Sequence, residues 1–295
     1  MSIFDITLYE NLPWQFTSLF VMLGAAVGSF FNVLSLRWPA YQLAKNDAES
    51  HFWLKLRGHL KKDLSPQAEQ PNLMAGRSHC PTCSKAIPLY HNIPIFSWLF
   101  LRGKSACCSK PIKIRYFAFE AFGALTFLAI AITIGPSVAG LLLGLILMTL
   151  SLMAVIDLAE SFIPEPLLFM AFFMSYGLAM SPIGVGLQTA FLSHMLTFFG
   201  LYITFSLLGK LMERDLVGTG DFHLLALCAS LLGSTAWFLP ILIWPFATAT
   251  WFLSKSGAIK KGVFAGVIGS TSIPAGPAIV ASTFCLIAIK QTGVL

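Results

Sequence analysis

Charge is what this 295-residue chain has least of. Asp, Glu, Lys and Arg make up 11% of it, where a soluble globular protein carries about 25%. The same chain is 56% apolar by residue, and its mean hydropathy is +0.77. Together these exclude an ordinary soluble domain. The N-terminal "MSIFDITLYENLPW" lacks a basic opening and carries Asp5 and Glu10, so it does not read as a cleavable signal peptide. No internal repeat and no low-complexity tract is evident, which argues against solenoids and disordered arrays. The net charge of +6 needs no nucleic-acid partner. In a membrane protein, basic residues first report topology.

What is present is a series of apolar stretches near 15–36, 117–135, 138–156, 166–185, 188–209, 221–238, 239–254 and 275–291. A helix needs about 20 residues to cross the hydrocarbon. The expectation is an all-α polytopic membrane protein with about eight transmembrane helices. Pro240 and Pro245 blur the boundary between the sixth and seventh.

Residues 37–116 break the pattern. They hold 13 of the 19 Lys and Arg residues. The chain therefore divides into an external N-terminus with the first helix (1–36), a cytoplasmic segment (37–116), and helices two to eight (117–295). With the segment inside, Lys210, Arg214, Lys255, Lys260 and Lys261 fall inside as well, and Lys290 lies near the outer face.

Asp157 ends the third apolar stretch and Asp221 opens the sixth. This topology puts both at cytoplasmic helix ends, where they can meet in one shallow cleft. Carboxylates a few ångströms apart share a proton. The ionised member can take a proton from water while the protonated one polarises an amide carbonyl, which is the chemistry of aspartic proteolysis. Gly218 and Gly220 lack the Cβ atoms that would keep a substrate backbone or a neighbouring helix away. The plainer reading makes Asp221 a helix N-cap and the glycines a turn.

Four of the six cysteines lie in residues 80–108: Cys80, Cys83, Cys107 and Cys108. In a cytoplasmic loop, metal ligation by thiolates is a better reading than disulfides. Zinc sites pair two C-x-x-C units. Here the second unit reads "KSACC", so Ser105 stands where its first cysteine is expected. Two readings stand. One is a zinc site of Cys80, Cys83, Cys108 and either Cys107, His79 or His91; the other is a set of reduced thiols. Asn32, polar inside the first helix, is read as interhelical glue or cleft wall. Gly24-x-x-x-Gly28 and Gly140-x-x-x-Gly144 are read as close-packing signatures.

Five stretches carry a family likeness: "GSFFNVLSLRWP" (28–39), "CPTCSKAIPLYHNIPIFSWLFLRGKSACCSKPIKIRYFAFE" (80–120), "IDLAESFIPEPL" (156–167), "GTGDFHLLALCASLLG" (218–233) and "IPAGPA" (273–278). In this order they resemble the bacterial prepilin peptidases, the GxGD-type intramembrane aspartic proteases of type IV pilus and type II secretion systems. The resemblance implies that Asp157 and Asp221 are the catalytic pair. Asn32, Arg37 and the loop cysteines fall on other motif positions of that family. It also implies a bacterial inner-membrane enzyme that removes the basic leader from prepilins or pseudopilins at the cytoplasmic face. The new N-terminus would then be methylated from S-adenosylmethionine. The residues themselves show no glycine-rich methyl-donor motif. Ser105 departs from the family's cysteine pattern. His223 stands where the family has lysine, and so bears on the cleft's pH response. The other class that accommodates intramembrane carboxylates is an ion-coupled transporter; both aspartates toward one face, and no inverted repeat, count against it.

Overall fold

The structure is a computed structural model that describes residues 13–56, 73, 78–80, 82–213, 218–255 and 275–291. Nine α-helices are present among the described residues: α1 (Pro13–Leu56), α2 (Phe96–Phe100), α3 (Ile114–Thr133), α4 (Val138–Glu160), α5 (Glu165–Ala179), α6 (Leu187–Met212), α7 (Thr219–Leu232), α8 (Leu239–Lys255) and α9 (Gly276–Gln291). Two 3₁₀ turns, Leu89–Asn92 and Gly233–Phe238, complete the regular structure. No strand occurs among the described residues, only the isolated bridges His79–Ala86 and Lys104–Pro111. Lys260, Lys261 and Arg214, which contribute to the topology argument, lie outside the described residues.

Each of the eight apolar stretches contains a helix. By length and composition five are long and apolar enough to cross a membrane: Trp14–Ser50, Ile114–Thr133, Val138–Glu160, Leu187–Met212 and Thr219–Ala249. The last runs α7 and α8 together across the 3₁₀ turn. Glu165–Ala179 and Gly276–Lys290 are shorter apolar helices. The architecture is that of an all-helical polytopic membrane protein. Among the described residues there are thus five helices of full spanning length, one of them joining two of the expected stretches, and two shorter apolar helices.

The helix ends follow local chemistry. Ser137 caps α4, its hydroxyl accepting the Gly140 N–H at 3.1 Å. At the other end Ser161 takes a left-handed conformation and its N–H closes onto the Asp157 carbonyl. Pro164 and Pro166 flank the start of α5, where a missing N–H costs nothing. α1 runs 44 residues with Pro39 inside it. At about 1.5 Å per residue it is about 66 Å long, roughly twice the hydrocarbon thickness. The polar segment after residue 37 thus begins as a continuation of this helix.

The chain divides into two compact units, Met1–Gly24 with Leu125–Leu295, and Ala25–Ala124. In the first, α4 is the central element, and Ile146, Leu150, Leu152 and Met153 are fully buried. It packs against α5 and α9, while α7 packs against α5, α6 and α9. Gly144 leaves room for the ring of Phe127, which a Cβ would approach to 2.7 Å. Ser175 of α5 and Ser230 of α7 share a buried hydrogen bond of 2.9 Å, a polar tie between helices that apolar surroundings make selective. In the second unit, a Cβ on Gly28 would collide with the Phe119 carbonyl. The close-packing reading therefore holds at Gly28 and Gly144.

Candidate active site

Asp157 lies in the last turn of α4 and Asp221 in the first turn of α7. Asp157 is buried at 5% exposure; Asp221 is half-buried. The two carboxyls are close enough for the charge of Asp221 to act on Asp157. A second observation places both at one end of the helix packing. Ile163, six residues after Asp157, lies against Gly220, the residue before Asp221.

The N-cap reading of Asp221 is overturned. Gly218 occupies the cap position with an extended backbone, and Asp221 stands three residues further, inside the first turn. Gly218 has φ −68°, open to any residue, and its carbonyl accepts the Asp221 N–H at 3.1 Å in the turn that opens the helix.

Neither glycine is required by the chain's own packing. A Cβ on Gly218 would meet Asp221 Oδ2 at 3.7 Å, and one on Gly220 would meet Ile163 at 3.5 Å. Both are ordinary contacts. The demanding glycine is Gly276. Its N–H donates to Asp157 Oδ2 at 2.9 Å, and a Cβ there would stand 2.7 Å from that oxygen. Gly276 opens α9, so the positive end of that helix faces the Asp157 carboxylate. α9 also packs on the helices carrying both aspartates. The stretch "IPAGPA" pointed to this region, but nothing in its spacing linked Gly276 to Asp157, 119 residues away.

His223 is exposed on α7. Its Nδ1–H donates to the Thr219 carbonyl at 2.8 Å, and its ring lies 4.7 Å from that of Phe198. Asn32 belongs to the other unit, on α1. It is fully buried, and neither amide atom has a hydrogen-bond partner among the described residues.

The cysteines converge. The sulfurs of Cys80, Cys83, Cys107 and Cys108 all lie within 4.8 Å of one another. Cys80–Cys108 is 3.7 Å, Cys83–Cys107 is 3.3 Å and Cys107–Cys108 is 4.0 Å. Zinc–thiolate bonds of about 2.3 Å in a tetrahedron set sulfurs about 3.8 Å apart. The four sulfurs fit that geometry, and neither His79 nor His91 joins them. The adjacent Cys107 and Cys108 therefore share one cluster. The thiols differ sharply. Backbone N–H groups of Cys83 and Thr82 lower Cys80 to about 6. The bond to the Cys83 sulfur pushes Cys107 up to about 12, and the Ser105 hydroxyl lowers Cys108.

Two family models cover most of the chain. Residues 22–134 match the bacterial Peptidase A24 N-terminal domain and residues 143–253 match the type IV leader peptidase family. The chain belongs to the type IV leader peptidase family. Among the family's curated members, a prepilin leader peptidase/N-methyltransferase of Aeromonas hydrophila is 34% identical over 247 residues, 81% of this chain and 80% of the relative. Proteins of the same name from Klebsiella pneumoniae and Pectobacterium carotovorum subsp. carotovorum are 33% and 32% identical. Each alignment covers 75% of this chain, with 87% and 76% of the relatives. No solved structure matches the chain.

Proposed function

We propose that this family member is an intramembrane aspartic endopeptidase that removes the leader from prepilins or pseudopilins. What supports the reading is that Asp157 and Asp221 lie within electrostatic reach, at ends of two helices brought together where Ile163 lies against Gly220, in a family whose relatives are named prepilin leader peptidases. One carboxyl is ionised and one protonated. Water attacks the scissile carbonyl carbon; the ionised carboxylate takes the water's proton while the protonated carboxyl donates to the carbonyl oxygen. The tetrahedral diol then collapses: one of its hydroxyls returns a proton to the carboxylate that acted as acid, the C–N bond breaks, and the leaving nitrogen takes the proton from the carboxyl that acted as base. Gly276 holds Asp157 in place throughout. Gly218 and Gly220, on the exposed approach to Asp221, keep the path clear for the substrate backbone. His223 is assigned a supporting place in the cleft.

The segment 37–116 and the ends of α4 and α7 bearing the aspartates face the cytoplasm of the bacterial inner membrane, with the N-terminus outside. The basic residues of the segment serve orientation and attraction to anionic lipid. Methylation of the new N-terminus is the second half of the proposal and rests on the relatives' names. S-adenosylmethionine supplies the methyl group, and no residue here is assigned to it. Cys80, Cys83, Cys107 and Cys108 would hold a structural zinc with no open position, tying residues 78–112 together.

The deciding experiment is co-expression with a prepilin and mass spectrometry of its N-terminus. Asp157→Asn and Asp221→Asn are each expected to cut cleavage by about 10³-fold or more while the protein still inserts. Cleavage near the wild-type rate by either variant sinks the dyad.

A further inference from the structure

The cysteine segment contains the same turn twice. In the first copy the Cys80 N–H donates to Lys85 O at 2.9 Å, the Ser84 N–H to Cys80 O at 2.9 Å and the Ile87 N–H to Ser78 O at 2.8 Å. In the second the Ser105 N–H donates to Lys110 O at 2.8 Å, the Ser109 N–H to Ser105 O at 2.9 Å and the Ile112 N–H to Gly103 O at 2.7 Å. Every partner has moved on by 25 residues. The bridges His79–Ala86 and Lys104–Pro111 obey the same offset. So do the left-handed residues, Ser84 at φ 56° and Ser109 at φ 55°.

This superposition of backbones puts residue against residue. Cys83 corresponds to Cys108, Ser84 to Ser109, Lys85 to Lys110 and Ile87 to Ile112. Cys80, however, corresponds to Ser105, and Cys107 corresponds to Thr82. The second turn is built like the first but carries its leading thiol two places late. That thiol still reaches the cluster, 3.3 Å from Cys83. The hydroxyl at the vacated place reaches it too, with Ser105 Oγ 3.1 Å from Cys108 Sγ.

We propose that Cys107 has taken over the metal-ligand place that this turn reserves for residue 105, and that Ser105 now donates its hydroxyl to the Cys108 sulfur as a positioning residue. The inference rests on the zinc reading and narrows it to one ligand set, Cys80, Cys83, Cys107 and Cys108. A hydroxyl beside a thiolate draws off charge and fixes the ligand's orientation, the way outer partners tune metal sites. The return of a thiol to position 105 should therefore make Cys107 dispensable.

The test uses the full-length protein in detergent, stripped of metal and titrated with Co²⁺, whose absorption reports the number of coordinating sulfurs. Wild type is expected to bind one ion with four sulfurs. Cys107→Ala should lose one sulfur and at least about tenfold in affinity, and Ser105→Cys with Cys107→Ala should recover both. Ser105→Ala should keep four sulfurs and lose affinity. Alkylation mapped by mass spectrometry on Zn²⁺-loaded wild type needs no variant to fold. Cys107 is exposed, so it should be protected as well as Cys83 and react at least tenfold faster after chelation.

A four-sulfur spectrum in Cys107→Ala, a double variant that stays at three sulfurs, or rapid alkylation of Cys107 while the other three are protected would overturn the ligand assignment and leave the metal reading standing. Co²⁺ uptake by Ser105→Cys but not by wild type would do the same. No uptake by any chain would overturn the metal reading and the ligand assignment together.

Discussion

Gly276 gives the candidate site its tightest constraint. Its N–H is bonded to Asp157, and the space where a methyl group would go is occupied by the same carboxylate. Gly276→Ala must therefore push Asp157 aside or lose the bond. Leader cleavage is expected to fall at least tenfold, in kcat more than in KM, because positioning of the reacting group is what changes. Gly177→Ala is the matched control for folding, since its Cβ would meet Leu142 at an ordinary 3.6 Å. Kinetics on both variants decide the matter; equal activity of Gly276→Ala and wild type would remove Asp157 from the machinery or show that α9 can shift. The two glycines that the G-x-G-D motif advertises are open in the folded chain. The one that the motif omits is closed.

Among the elements, the connection between the cysteine segment and α3 is held by one carboxylate. Glu120 accepts the Ser29 hydroxyl at 2.8 Å and the Ile95 N–H at 2.7 Å. Both partners are neutral, a hydroxyl and a backbone amide. Arg115 instead donates to Ser35 at 2.7 Å and lies over the Phe119 ring. Ile95 has φ 64° and ψ −55°, and the next N–H closes back onto Pro94 O at 2.6 Å. That is a γ-turn of the rare, strained kind, at a β-branched residue that disfavours positive φ. Such a conformation costs about 1–3 kcal/mol and persists only where its surroundings dictate it. Glu120 is the group that dictates it. Glu120→Ala is expected to cost about 2 kcal/mol through two unmade hydrogen bonds. In hydrogen exchange the Ile95 amide should speed up by tenfold or more while amides in α4 hold steady. An Ile95 amide that exchanges as in wild type would show that the turn is held by something else.

For the whole molecule, the open quantity is which way the chain threads the membrane. Thirteen of its 19 basic side chains lie between residues 37 and 116, which sets that segment inside if positive charge governs orientation. Single cysteines introduced in a cysteine-free background at Glu213 and at Ser181 separate the alternatives. A membrane-impermeant thiol reagent applied to intact cells should label position 181, in the turn after α5, and spare position 213, at the end of α6. The reverse pattern would invert the molecule and place the aspartates on the outer face, where a cytoplasmic leader could not reach them.

Hydropathy is a property of neighbours in the chain, and so the sequence by itself determined that this is a bundle of apolar helices, roughly where the apolar ones lie, and which two acidic side chains stand at helix ends. Local capping likewise sets the break at Ser137 and proline the one at Pro164. Contacts between distant residues are another matter. That Asp157 meets Gly276, that Glu120 meets Ser29 and Ile95, and that Cys107 rather than a histidine completes the sulfur cluster depended on how helices and turns dock. No local periodicity encodes a hydrogen bond across 119 or 91 residues, because its geometry is set only when two separately formed elements are brought together.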